Sequence, residues 1–190
     1  MKKTFMMLLA LCFVLAGQSV IAQKKAYEQG DYIANLGVSL GYYGYGFVGS
    51  RSGGFIPVTA SIEKGFHEYI SAGPYVGYAS WKYKGPNYNY SWNFTSVGAR
   101  GTFHAVPLLN ESLSTTINEE KFDLYATLIA GLEFRSFSGD NDIEDYANET
   151  NFFIGPVLGA KYKFNDRFGV YFEGGRGAFG YGTLGVSANF

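Results

Sequence analysis

The stretch Phe122-Asp123-Leu124-Tyr125-Ala126-Thr127-Leu128-Ile129-Ala130-Gly131-Leu132-Glu133-Phe134 decides the fold. Every second residue, from Phe122 through Leu124, Ala126, Leu128, Ala130 and Leu132 to Phe134, is apolar. Between them stand Asp123, Tyr125, Thr127, Ile129, Gly131 and Glu133. A period of two sends alternate side chains to opposite faces of a strand. The run is longer than the ~9–11 residues that a tilted strand needs to cross a bilayer.

The same alternation recurs on both sides of it. Upstream lie Ala34 to Tyr43, Ile56 to Glu63, Ile70 to Tyr78 and Ser96 to Ala105. Downstream lie Phe152 to Tyr162, Phe168 to Glu173 and Leu184 to Phe190. With the central run these make eight strands, an even number, and no segment shows the 3.6-residue period of a core helix. The spacing predicts tight turns at His67–Glu68 and Asn165–Arg167, alternating with longer links at 44–55, 82–90, 135–151 and 176–182. Short turns at one end and long loops at the other are the asymmetry of an outer-membrane barrel. The link Pro107 to Lys121 breaks the pattern, being long where a short turn is expected. Pro74 and Pro156 fall mid-strand, where a closed barrel has no free edge. Each follows a glycine, so a bulge is expected at each.

Composition decides which face meets what. The second face carries Gly, Ser, Thr and Asn with Glu63, Arg100, Glu133, Lys161 and Glu173. As the wet face of a soluble barrel it is too rich in glycine and too poor in Lys and Glu. As the lining of a narrow lumen it fits. Tyr42, Phe66, Tyr69, Tyr78, Trp92, Phe122, Phe134, Phe152, Tyr162 and Phe168 gather near strand ends, as the aromatic girdles of a membrane barrel do. The expected fold is therefore an all-β, eight-stranded antiparallel up-and-down transmembrane β-barrel. With 16% charged residues, a net charge of −1 and no basic stripe, nucleic acid is not an expected partner.

The chain begins as an export signal reads. Lys2 and Lys3 precede an apolar stretch from Phe5 to Ala16, too short to span as a helix. Val20-Ile21-Ala22 supplies small residues for cleavage before Gln23. Residues 1–22 are thus expected to be a signal peptide and 23–190 the barrel. Cys12 is the one cysteine; Leu11 stands where a lipobox needs a small residue, so Cys12 reads as part of the apolar region.

The segments Ser71-Ala72-Gly73-Pro74-Tyr75-Val76-Gly77-Tyr78, Val97-Gly98-Ala99-Arg100-Gly101-Thr102-Phe103-His104 and Phe168-Gly169-Val170-Tyr171-Phe172-Glu173-Gly174-Gly175 resemble the outer membrane protein beta-barrel domain, or porin-like, family, whose small members are similar in size to OmpX-type barrels. The final strand, with Leu184, Val186, Ala188 and Phe190 in alternation, looks like the C-terminal signal read by the outer-membrane assembly machinery. The resemblance implies residence in the outer membrane of a Gram-negative bacterium, with lipid and lipopolysaccharide as surroundings. It implies no catalytic motif and no cofactor.

Candidate sites follow from the polar face. Glu63, Arg100, Lys161 and Glu173 all fall near the short-turn end of their strands. They make either a selectivity constriction or an ion-pair network that fills the lumen. Eight strands leave room for side chains only, which favours the network, with Lys161 and Glu173 meeting diagonally across neighbouring strands. His67 and His104 are the only histidines and lie far from where an outer-leaflet lipid substrate would sit, so no catalytic residue is assigned. Asp140, Asp142, Glu144, Asp145 and Glu149 lack the glycine and distant glutamate of a calcium loop, so no metal site is assigned. The sequons at Asn93, Asn110 and Asn148 carry no weight in a bacterium. The expected function is a non-enzymatic barrel whose loops mediate surface interaction or envelope integrity. A narrow channel for small or hydrophobic molecules is the second reading, and a lipid-modifying enzyme the third.

Overall fold

The computed structural model describes residues 25–40, 54–84, 89–139, 148–177 and 179–190. The expected signal peptide, Tyr42 and the acidic run Asp140 to Asp145 lie outside them. The strands are β1 (Tyr32–Leu40), β2 (Gly54–His67), β3 (Ile70–Lys84), β4 (Asn89–His104), β5 (Phe122–Gly139), β6 (Glu149–Lys163), β7 (Phe168–Gly175) and β8 (Gly182–Asn189). A helix, α1 (Val106–Leu113), stands between β4 and β5. Each strand pairs antiparallel with the next, and β1 pairs with β8, so the sheet closes into an up-and-down barrel with no free edge at that seam.

The period-two reading sets the faces. In β5 burial alternates residue by residue from Phe122 to Ile129, with Asp123, Tyr125, Thr127 and Ile129 inside. Leu36, Ile62, Val76, Val97, Leu128, Leu132, Ile154, Leu158, Phe172, Leu184 and Val186 are exposed on the outside. An apolar outer face that runs round the whole wall suits hydrocarbon and not water. Phe66, Tyr78, Phe122, Phe134, Phe152 and Tyr162 are exposed on it as expected of girdle residues. Trp92 is a correction: it shares parity with the buried Phe94 and Ser96 and packs inward against that phenylalanine.

The wall is uneven. β2 to β6 run 14 to 18 residues, whereas β1, β7 and β8 run 8 or 9. Strand reaches into the links expected at 82–90 and 135–151, over residues 82–84, 89–90, 135–139 and 149–151, because β3, β4, β5 and β6 continue past the membrane-length core. A second correction is α1, which fills the long link after Pro107. An eight-residue helix is only about two turns, too short to show a periodic signature. Its proline sits in the first turn, where a missing N–H is harmless. Asn110 then organises the rest of the link, its side chain bonding the Ile117 carbonyl, the Ile117 N–H and Glu119.

The prolines disturb pairing without a bulge. Pro74 pairs in register with Ala99 of β4, and the β2–β3 register is the same before and after it. The ladder to β2 lapses at Gly73 and Pro74, where a Cβ on Gly73 would stand 1.8 Å from the Ile62 carbonyl oxygen. Pro156 pairs in register with Leu128, and the β6–β7 ladder begins only at Val157. Each proline therefore turns its missing donor to a place where one neighbouring ladder stops, which removes the need for an extra residue.

Candidate functional site

The inward side chains sort into two layers. The layer nearer the short turns is charged. Arg100 of β4 is buried with its Nε 2.9 Å from Glu63 Oε1 of β2 and its Nη2 2.7 Å from Glu173 Oε1 of β7. Glu63 is the hub. Its Oε1 also accepts from Asn35 Nδ2 at 3.1 Å, and its Oε2 accepts from Ser71 Oγ at 2.9 Å and Thr102 Oγ1 at 2.6 Å. Glu63 thus accepts three hydrogen bonds beside its ion pair with Arg100, whose Nε lies close to the carboxylate without hydrogen-bond geometry. Glu173 accepts as well from the Tyr125 hydroxyl at 3.0 Å. Pairing and hydrogen bonding of this kind offset the cost of burying these three charges.

Lys161 is in the same layer but outside the ion pairs. It is buried, with its ammonium 6.0 Å from the centre of the Tyr125 ring. The diagonal contact with Glu173 expected from the register is not formed; Glu173 is taken instead by Arg100 from across the lumen and by the Tyr125 hydroxyl. Glycines make the room: a Cβ on Gly159 would lie 2.3 Å from the Tyr125 ring, and one on Gly37 2.3 Å from the Tyr171 hydroxyl.

Nearer the long loops the lining turns apolar. Tyr75, Ile129 and Val157 form one buried cluster, and Ala79, Phe94 and Phe179 another. Phe179 comes from the β7–β8 link, which folds into the mouth of the lumen; the ring is 1% exposed. It seats over Gly77, where a Cβ would stand 2.4 Å from the ring. Between this ring and the charged layer there remains a space of about 10 Å³ beside Ser39, Thr59 and Glu173. That is about the room of one water.

The other end is closed by the residues before β1. Tyr27 stacks on His104 with ring centres 3.5 Å apart. Its hydroxyl lies between the carbonyls of His67 and Ile70, which share its one proton. Ala26 N–H donates to the Glu119 carbonyl, Asn189 Nδ2 to the Ala26 carbonyl and Lys163 Nζ to the Lys25 carbonyl. Lys25 and Glu119 form an ion pair at 2.8 Å. Through it the Lys25 ammonium is held above its ordinary pKa and the Glu119 carboxyl below its own. Burial pushes the Tyr27 phenol up to about 12. Nothing in the polar run around Ala26-Tyr27 distinguishes this plug at the level of sequence.

His104 also closes a contact that resembles a hydrolytic triad. Its Nε2 is 3.0 Å from Ser71 Oγ and its Nδ1 2.8 Å from Asp123 Oδ2. Acyl transfer needs the serine proton directed to the base and room for a substrate beside the hydroxyl. Here the single hydroxyl hydrogen of Ser71 is taken by Glu63, Ser71 is 0% exposed, and Tyr27 covers the imidazole. The arrangement is a hydrogen-bonded cross-tie between β3, β4 and β5.

Leu184, Val186 and Phe190 of the final strand are exposed on the outer face, and Ala188 is half-buried between them. Among the described residues no group of three or more His, Cys, Asp or Glu is placed to hold a metal ion.

No protein-family model matches the chain, and no curated protein sequence matches it. Solved structures do. The attachment invasion locus protein Ail of Yersinia pestis, in complex with the heparin analogue sucrose octasulfate, aligns with a TM-score of 0.54 at 14% identity, over 86% of this chain and all of that one. The N-terminal β-barrel domain of Pseudomonas aeruginosa OprF aligns at 0.46 and 14% identity over 85% of this chain and 98% of that one. The outer membrane protein OprG of the same organism aligns at 0.46 and 11% identity over 86% and 97%. The chain shares its fold with the small eight-stranded outer-membrane barrels.

Proposed function

We propose that this chain is a non-enzymatic integral protein of the Gram-negative outer membrane, exported by residues 1–22, with a sealed lumen and a working surface in its outer loops. The apolar outer wall supports the membrane placement. In that placement the short turns and α1 face the periplasm. Surface interaction or envelope integrity is then the role left to the long-loop end, with lipid and lipopolysaccharide as immediate surroundings. Leu184, Val186, Ala188 and Phe190 would be the segment read by the assembly machinery.

The observation that carries the sealed reading is the three-level closure by Tyr27, the Glu63–Arg100–Glu173 network and Phe179. The test is planar-bilayer recording on the refolded protein. Silence is the expected result. Regular conductance steps would put the narrow-channel reading first.

A further inference from the structure

The one helix among the described residues, α1, has a side that the barrel does not use. Val106 is buried against the barrel end and Asn110 is engaged by the link, so that side is occupied. Leu108 lies on another side and is 40% exposed. Glu111 follows Leu108 by three residues and shares its face. Glu111 Oε2 accepts a hydrogen bond from the Tyr69 hydroxyl at 3.1 Å. The Tyr69 ring in turn lies 6.2 Å from that of Phe103, an outward residue of β4 exposed to nearly the same degree as Leu108. The contacts Phe103–Tyr69–Glu111 tie α1 to an outward residue of β4, at the edge of the apolar belt. Leu108 is an exposed apolar side chain on a helix held at that edge, with a carboxylate one turn along its face and a tyrosine hydroxyl bonded to it, the mixture that suits the boundary between acyl chains and headgroups.

We propose that α1 is an interfacial anchor for the phospholipid of the periplasmic leaflet, with Leu108 inserted at the acyl boundary and Tyr69 and Glu111 held at the headgroups. This rests on the bilayer placement proposed above. It also gives a reason for a long link where a turn of a few residues would join β4 to β5, since a two-turn helix has little stability of its own and is held by what its faces cover.

The test uses a nitroxide label on Leu108→Cys in a Cys12→Ser chain, refolded into phosphatidylethanolamine–phosphatidylglycerol vesicles. Labels at Leu158, on the belt, and at Thr116, exposed in the polar link, serve as references. Each label is read for collision with oxygen, which partitions into lipid, and with a nickel chelate, which stays in water. The expected ratio at Leu108 is several-fold above that at Thr116 and approaches that at Leu158. Ser112→Cys, one turn along the same face, gives a second reading if labelling Leu108 prevents folding. A label at Leu108 or Ser112 as open to the chelate as Thr116, with Leu158 still oxygen-rich, overturns the anchor. A label at Leu158 that is itself open to the chelate overturns the bilayer placement.

Discussion

Arg100→Met removes the one cation that joins two buried carboxylates and tests whether the lumen is dry. Arg100 is 4% exposed, Glu63 2% and Glu173 5%. Two unit charges 2.7 Å apart attract by roughly 6 kcal/mol at an effective dielectric near 20, and desolvation of the ions offsets much of that. Breaking such a pair from one side is the costly direction, because it strands a charge. Here it strands Glu63 and Glu173 together, and the expected loss is about 3–5 kcal/mol. The triple change Arg100→Met, Glu63→Gln, Glu173→Gln strands no ion and should recover most of the loss. Glu173→Lys should be at least as damaging as Arg100→Met, since it sets an ammonium against the guanidinium, while Glu144→Lys, outside the described residues, should be nearly neutral. The assay is guanidinium unfolding of the refolded barrel in detergent, followed by tryptophan fluorescence, with the heat-modified gel shift as a second readout. A loss below ~1 kcal/mol for Arg100→Met, matched by Glu144→Lys, would mean that water reaches both carboxylates. The lumen would then be open, and the channel reading would displace the sealed one.

Lys161→Met should cost less than Arg100→Met in the same unfolding assay, because it removes a buried ammonium that forms no close ion pair and feels Asp123 only as its cross-strand neighbour, and replaces it by a side chain of similar length. Phe179→Ala should cost about 3–5 kcal/mol if the ring packs as a core residue does, and Phe179→Ala combined with Tyr27→Ala and Arg100→Ala should conduct in a planar bilayer where each single variant stays silent. The ion pair at the short-turn mouth should respond to acid. The Glu119 carboxyl is depressed below its ordinary value by Lys25, so its contribution is complete above that ordinary value and is lost as pH falls through the lower, folded one. The Lys25 ammonium is raised above 10.5, so its side of the pair holds below that value and fails only in stronger alkali. The protection of the Ala26 amide, taken as its exchange rate relative to the intrinsic rate at each pH, should accordingly be flat between these limits and fall in acid, and Glu119→Gln should abolish that acid step.

How much of this was legible in the sequence depends on whether a feature repeats. The strand faces repeat every second residue, so one run such as Phe122 to Phe134 sets the parity of a whole strand, and a one-residue error would have put charges into the lipid face. That is why Glu63, Arg100, Lys161 and Glu173 could be placed inward from parity alone. Which of them pair was not legible, because the choice between Arg100 and Lys161 as partner of Glu173 turns on contacts across the lumen, between strands far apart in order. Tyr27 and Phe179 were missed for another reason: each is a single aromatic in a segment without period, and its role comes from the closed ring of strands that it enters. Gly77 and Gly159 were visible only as small residues of the inner face, and only the ring that lies over each one shows why a larger side chain is excluded.

The same distinction bears on what the lumen is for. A polar lining alone is what a narrow channel would show, and period-two patterning cannot separate a channel from a plug. The decisive residues are the non-repeating ones, two aromatics entering from opposite ends, because a barrel that conducts has no use for both. Tyr27 is bound to the ends of β2 and β3, and its neighbour Ala26 to α1's link, so closing the short-turn mouth also ties the strand ends together. Phe179 is carried by a link that bonds back to Leu40 and Pro156, so its seat over Gly77 is part of the wall. Both plugs therefore contribute to folding stability as well as to closure. It follows that Tyr27→Phe, which keeps the ring on His104 and removes only the hydroxyl, should leave the barrel silent in a bilayer yet lower its stability by about 0.5–1.5 kcal/mol, the ordinary worth of a hydrogen bond. Conductance from Tyr27→Phe alone would show that the hydroxyl, and not the ring, keeps the mouth shut.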